Sequence, residues 1–233
     1  MKIKHVFFDL DRTLWDFERN SETALRQIYE ELKLSKYMES FDSFMEVYRR
    51  VNGEWWNKYR YGKVKKEDLR VGRFLDTLRE FDAENFEIAT QLGERYVQVS
   101  PYQTNLLPHT AETLKELKEN GNAIHIITNG FKEIQFIKLK NSDILHYFDD
   151  VLCSEEVGVN KPDPLVFKSA MERTNAKAHE SIMIGDDFEA DVLGAEKVGI
   201  KGVLFDPNEH FKHNNEVHKI QSLKEVPPIV VGL

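Results

Sequence analysis

Asp9 and Asp11 stand two residues apart at the end of a short apolar run, followed by Thr13, in Phe7-Phe8-Asp9-Leu10-Asp11-Arg12-Thr13. Two carboxylates this close repel each other, and burial makes the neighbourhood worse. A divalent cation removes the objection: Mg²⁺ takes hard oxygen ligands, commonly one or two carboxylates with waters and a substrate phosphate. An Asp in such a place can also attack phosphorus and form an aspartyl phosphate. Three more groups follow in order. Thr128-Asn129-Gly130 offers a hydroxyl and backbone N–H groups for phosphate oxygens. Lys161, before Pro162, offers a point cation, and Gly185-Asp186-Asp187-Phe188-Glu189-Ala190-Asp191 offers another metal carboxylate. Each alone has an ordinary reading: a turn, a solvated surface Lys, acidic N-capping of a helix. All of them in sequence, each behind its own apolar run, are hard to assign to chance.

Those runs are residues 4–8, 123–128, 150–154, 181–185 and 202–205, strand-length and rich in Val, Ile and Phe. Unbroken apolar runs suit strands covered on both faces, as in a parallel sheet between helical layers. Helical patterns separate them. Residues 110–120 place Leu114 and Leu117 on one side and stop at Gly121; residues 131–140 repeat Ile134, Ile137 and Phe136. Residues 164–173 and 190–198 continue the alternation, the latter closing at Gly199. The pattern predicts an α/β, doubly wound, Rossmann-like parallel sheet whose strand ends gather the polar groups. Between the first and second strands lies a long charged stretch with helical periodicities such as Ala24, Ile28 and Leu32, or Phe74, Leu78 and Phe81. It reads as an inserted helical domain over 16–99, with the core in 1–15 and 100–233. The tail from 210 onward is expected along the outside of the sheet.

The chain has 233 residues, 40 acidic and 32 basic, for a net charge of −8. A net anion is poorly suited to a nucleic acid polymer. Cys153 is the single cysteine, which excludes an intrachain disulfide and fits a reducing cytoplasm. No apolar run approaches membrane-spanning length, so no membrane partner is expected. The histidines form no H-x-x-x-H pair, and G-x-x-x-x-G-K is absent, which argues against zinc and against an ATP-driven kinase.

The set Asp9-x-Asp11-x-Thr13, Thr128, Lys161-Pro162 and Gly185-Asp186 with Asp191 resembles the haloacid dehalogenase superfamily over essentially the whole chain. The helical insertion resembles that superfamily's type-1 cap. The resemblance implies that Asp11 marks a phosphatase, since true dehalogenases lack the second Asp. Thr13-Leu14-Trp15-Asp16-Phe17, with Asn20, is similar to the opening of bacterial pyrimidine 5'-nucleotidases of the superfamily. Arg12 departs from the small residue or Asp of many relatives.

The resemblance implies a small phosphomonoester substrate, a nucleoside monophosphate first among them, and Mg²⁺ held by Asp9, Asp186 and the backbone carbonyl of Asp11. Asp9 would be the nucleophile and Asp11 the acid and then base. Thr128, Asn129 and Lys161 would bind phosphate oxygens, with Thr13 and Gly130 beside them, while Asp191 and Asp187 would orient Lys161 and the metal's waters. Trp15, Asp16, Phe17 and Asn20 would face the leaving group. Trp55, Trp56, Tyr59 and Tyr61 read as core of the helical segment, and Arg60, Lys63, Lys65, Lys66, Arg70 and Arg73 as a solvated helix face. The alternatives are a sugar-phosphate or phosphoglycolate phosphatase, a phosphoglucomutase-like phosphotransferase and, in a different class, a non-catalytic sensor of phosphate ligands.

Overall fold

The structure, a computed structural model, describes residues 2–211 and 218–232. It divides into two compact units, one of Met1–Phe17 with Thr104–Leu233 and one of Glu18–Gln103.

In the first unit, β1 (His5–Phe8), β2 (Ala123–Thr128), β3 (Asp150–Cys153), β4 (Ser181–Gly185), β5 (Lys201–Phe205) and β6 (Lys219–Ile220) form a parallel sheet in the order β3-β2-β1-β4-β5-β6. Side chains alternate across the pleat, so β1 to β4 each feed two cores. Val6, Phe8, Ile124, Ile126, Ile182 and Ile184 point to one, where they meet Leu114 and Leu117. Phe7, Ile127, Leu152 and Met183 point to the other, against Val166, Phe167 and Ala170. This double burial is why the strands read as unbroken apolar runs. Sequential neighbours lie on opposite sides of β1, so the direction of winding reverses there. The crevice at such a reversal, outside the carboxyl ends of the strands, is where open α/β sheets hold ligands.

The helices of this unit are the start of α1 (Phe17–Glu31), then α5 (Thr110–Glu119), α6 (Lys132–Asn141), α7 (Pro164–Thr174), the single turn α8 (Gly194–Glu196) and α9 (Val226–Gly232). Two depart from the pattern read in the sequence. In α6 the buried side chains are Gln135, Lys138 and Leu139, while Ile134 and Ile137 are half-buried. The helix turns a polar face inward because that face meets the site. The helical reading of 190–198 becomes a wider π turn, Phe188–Leu193, running into α8. In the tail, β6 adds a strand the sequence did not signal, and α9 sends Val226 and Val230 into the sheet's core. Residues 212–217 of that tail lie outside the described residues.

The second unit holds the rest of α1 with α2 (Phe41–Arg60), α3 (Lys66–Arg79) and α4 (Phe86–Val99). Ser40 and Asn85 cap α2 and α4 by accepting the N–H of Ser43 and Ile88. Leu25, Ile28, Phe44, Tyr48, Phe74, Leu78, Leu92 and Tyr96 recur at helical spacing and fill one core. Trp55, Trp56 and Tyr59 are only half-buried and Tyr61 is exposed, which corrects their reading as core. Trp55 lies against α3 where Gly72 leaves room, its Nε1 donating to Asp76 Oδ2 at 2.8 Å. Arg73 is the converse correction. It is 4% exposed rather than solvated, donating to Asn52 Oδ1 at 2.9 Å and lying over the rings of Phe74 and Tyr96.

No helix among the described residues is long and apolar enough to cross a membrane.

Candidate active site

Asp9 directly follows β1, Thr128 ends β2, Lys161 lies between β3 and α7, and Asp186 directly follows β4. The parallel register therefore delivers all four to the same edge of the sheet. Lys161 is 2% exposed, and its ammonium donates to Asp9 Oδ1 at 2.7 Å, Asp191 Oδ1 at 2.7 Å and the Ile127 carbonyl at 2.6 Å. Three N–H groups thus meet three acceptors. The sequence reading had Lys161 binding phosphate oxygens directly; the geometry gives it to the two carboxylates. Burial alone would lower its pKa, but Asp191 and Asp9 together hold it above the ordinary lysine range.

Asp9, Asp186 and Asp191 can each turn a carboxylate oxygen inward so that the three lie within 4.8 Å of one another. Burial pushes Asp9 up to about 7, against the pull of Lys161 and with the help of Asp191. Burial, then the charges of Asp9 and Asp191, push Asp186 well above the carboxylate range, and burial also raises Asp191. Three carboxylates facing one ammonium leave negative charge in excess. An all-oxygen donor set with that excess fits a hard divalent cation. Asp191 both pairs with Lys161 and belongs to this acidic group, while the carboxylate of Asp11 is outside it.

Asp11 turns instead to α6, accepting from Lys138 Nζ on Oδ1 at 2.5 Å and from Gln135 Nε2 on Oδ2 at 2.8 Å. Gln135 also donates to Thr128 Oγ1 at 3.0 Å, which accepts Gly130 N–H at 3.1 Å as well. With both acceptor positions of Thr128 occupied, its hydroxyl proton is left to donate to an anionic oxygen. A Cβ at Gly130 would collide with the Gln135 amide, so the close approach needs glycine. Neither Gln135 nor Lys138 was read from the sequence as part of the site. The one signal was a helix whose apolar residues do not make a clean stripe.

Other expected members fall elsewhere. The Asn129 side chain is used on the Lys161 backbone, donating to its carbonyl at 3.1 Å and accepting its N–H at 2.8 Å, so it positions Lys161. Asp187 Oδ1 caps the π turn by accepting the N–H of Glu189 and Ala190 at 3.0 and 2.9 Å, while its own N–H donates to Asp191 Oδ2 at 3.1 Å. Gly185 leaves the space that Asp191 fills. Thr13 is buried, its Oγ1 3.5 Å from Asp186 Oδ1.

Trp15 is fully buried in the sheet's core, its ring 4.2 Å from Lys138 Nζ, which corrects its expected place against a leaving group. Asn20 is likewise buried, on the inward face of α1 with Ala24 and Ile28. Phe17 is half-buried under the Arg12 guanidinium at 4.2 Å, and half-buried Asp16 donates its N–H to the Asn105 carbonyl at 3.0 Å.

Sheet and site together define a doubly wound α/β enzyme with its polar groups gathered at the strand ends. A family model described as haloacid dehalogenase-like hydrolase matches residues 3–199, and the chain belongs to that family. It is 36% identical to a ribulose-1,5-bisphosphate 5-phosphatase of Halopiger xanaduensis over 88% of this chain and 85% of that one. It is 31% identical to a pyrimidine 5'-nucleotidase of Escherichia coli over 86% of this chain and 84% of that one. A hydrolase of Bacillus subtilis, solved with bound magnesium, shares the fold at a TM-score of 0.88 over 99% of both chains, with 23% identity.

Proposed function

We propose that the chain hydrolyses phosphomonoesters in two steps through an aspartyl phosphate on Asp9, with nucleoside 5'-monophosphates, pyrimidines preferred, as its substrates. The observation that carries the chemistry is the pairing of two carboxylates with different partners: Asp9 buried against Lys161, and Asp11 held apart from it by Lys138 and Gln135. Environments that differ this way suit one carboxylate to attack and the other to move protons. The relatives named as phosphatase and nucleotidase support the same reaction.

Asp9 attacks the phosphorus, forming its O–P bond as the ester P–O bond breaks, and Asp11 gives its proton to the departing alcohol oxygen. Asp11 then takes a proton from the water that cleaves the phosphoenzyme. Thr128 Oγ1 and the backbone N–H of Asn129 hold the non-bridging oxygens, where charge builds in the transition state. Lys161 fixes Asp9 and offsets its charge. Mg²⁺, held by Asp9 and Asp186 with Asp191 behind them, would neutralise the repulsion between nucleophile and phosphate. Choice of the alcohol portion is assigned to the helical unit, which the sequence reads as a cap. The cytoplasm is the compartment of this proposal.

A second reading, a sugar-phosphate phosphatase, is favoured by the 36% identity to the ribulose-1,5-bisphosphate phosphatase and by the burial of Trp15, which removes one nucleotidase-like residue from the substrate. The test is phosphate release from uridine, thymidine and purine 5'-monophosphates beside ribulose bisphosphate, glyceraldehyde 3-phosphate and phosphoglycolate, with Mg²⁺, with EDTA, and with Asp9→Asn. Mg²⁺-dependent release greatest for pyrimidine monophosphates is expected. Release from sugar phosphates alone would keep the chemistry and transfer the substrate assignment. Substantial turnover by Asp9→Asn would remove Asp9 as nucleophile.

A further inference from the structure

We infer that Gln135 and Lys138 are positioning residues for Asp11, and that proton delivery to the leaving group depends on them. This inference rests on the phosphomonoesterase reading and assigns two residues of α6 to it. The two lie three apart and so share one helix face, which points into the unit at 0% and 5% exposure. Burying an amide and an ammonium costs free energy unless both find partners. Lys138 finds Asp11 Oδ1 at 2.5 Å and the face of the Trp15 ring, with Nζ 4.2 Å from the centroid. Gln135 finds Asp11 Oδ2 at 2.8 Å and Thr128 Oγ1 at 3.0 Å.

Each oxygen of Asp11 thus has its own donor from one rigid helix, which fixes both the direction of the carboxylate and the rotation of its plane. A lone Asp in a loop would sample several rotamers, and proton transfer requires one of them. Gln135 adds register, because the same amide group spans Asp11 and the hydroxyl proposed to hold phosphate. The Gln135 Oε1 atom remains buried without a hydrogen-bond partner. The amide is therefore oriented by the two acceptors in front of it even though its other end is left unsatisfied. Trp15, fully buried, acquires a function in this arrangement as the seat of the Lys138 ammonium.

The step concerned is the first one: the Asp9 O–P bond forms, the ester P–O bond breaks, and the Asp11 proton moves to the departing oxygen. An alkoxide needs that proton and a nitrophenolate does not, so kcat/KM for the two ester types separates orientation of Asp11 from general damage. Lys138→Met keeps the aliphatic stem on Trp15 and removes the ammonium. It should lower kcat/KM about 100-fold on uridine 5'-monophosphate or glyceraldehyde 3-phosphate, whichever the wild type takes, and less than about threefold on 4-nitrophenyl phosphate. Lys138→Arg should recover part of the loss. In an Asp11→Asn background, Lys138→Met should add no further leaving-group dependence. Equal losses on both esters, or losses that add in the double variant, overturn the inference. If Lys138→Met does not fold by circular dichroism, Lys138→Gln and Lys138→Arg carry the same comparison, since Lys138 touches Asp11 and not Thr128. A wild type that hydrolyses neither ester, or an active Asp9→Asn, overturns the phosphomonoesterase reading itself, which is a distinguishable failure.

Discussion

Replacing Asp191 by Asn removes one charge from a cluster in which attraction and repulsion nearly balance. At an effective dielectric of about 20, the Lys161–Asp191 contact at 2.7 Å is worth about 6 kcal/mol. Asp9 and Asp186 lie within 4.8 Å, and each ionised carboxylate repels Asp191 by at least about 3.5 kcal/mol on the same scale. With both ionised the repulsion removed is about 7 kcal/mol; with Asp186 protonated it is about 3.5 kcal/mol. The metal-free protein should therefore change by between nearly nothing and a loss of about 2.5 kcal/mol, against about 3–5 kcal/mol for breaking an ordinary buried pair. Urea unfolding in EDTA at mildly alkaline pH, where Asp9 has lost its proton, measures this directly. A cation reverses the balance, since every carboxylate then attracts it. Saturating Mg²⁺ should stabilise the wild type, and the variant by at least about 1.4 kcal/mol less at the same concentration, the equivalent of tenfold weaker binding. A loss of about 5 kcal/mol or more in EDTA, or an equal gain from Mg²⁺ in both proteins, would refute the reasoning.

Gly185→Ala drives a methyl group into the Asp191 carboxylate, which Lys161 and the Asp187 N–H prevent from moving aside. Overpacking of this kind costs about 1–3 kcal/mol, and a urea midpoint unchanged from wild type would count against the tight fit. At the opposite ends of the strands, His125 stacks on His5, and its Nδ1 is buried without a partner. Burial, aided by His5, lowers His125 to about 4 from 6.5, so the unfolded chain binds the extra proton in this interval and stability falls with pH from about 6.5 through 4. The loss approaches about 3 kcal/mol, and His125→Gln should flatten that part of the stability profile; an unchanged slope would acquit His125.

The sheet was legible because double burial leaves little room for polar residues: Phe7 and Val6 serve opposite cores, and the strand can be apolar throughout. The site groups at Asp9, Thr128, Lys161 and Asp186 could be located because strand ends are where such runs stop. What escaped were roles set by partners distant in sequence. Nothing local shows that Asn129 spends its amide on the backbone of Lys161, or that Asp187 caps a turn. In α6, a search for an apolar stripe selects Ile134 and Ile137 and passes over Gln135 and Lys138, whose burial follows from Asp11 and Trp15. The resemblance sets Trp15 facing the leaving group, whereas its ring serves the interior. The strand β6, two residues long, is too short for any periodicity to register.

The helical unit leaves the sheet-bearing unit after Phe17 and the chain returns at Thr104. Just inside those points the outgoing and returning segments are joined: Asp16 N–H donates to the Asn105 carbonyl at 3.0 Å, Leu107 N–H to the Leu14 carbonyl at 2.9 Å, and Trp15 bridges Leu106. To the sheet, the whole insertion is a loop whose mouth is already stitched shut. Closure entropy grows only slowly with loop length, so the stitched mouth makes the length and content of what lies beyond it nearly indifferent to the sheet. The junction is thus a socket: the strand end that carries Asp9 and Asp11 takes its register from β2 and β4, on the sheet's side of the stitched mouth.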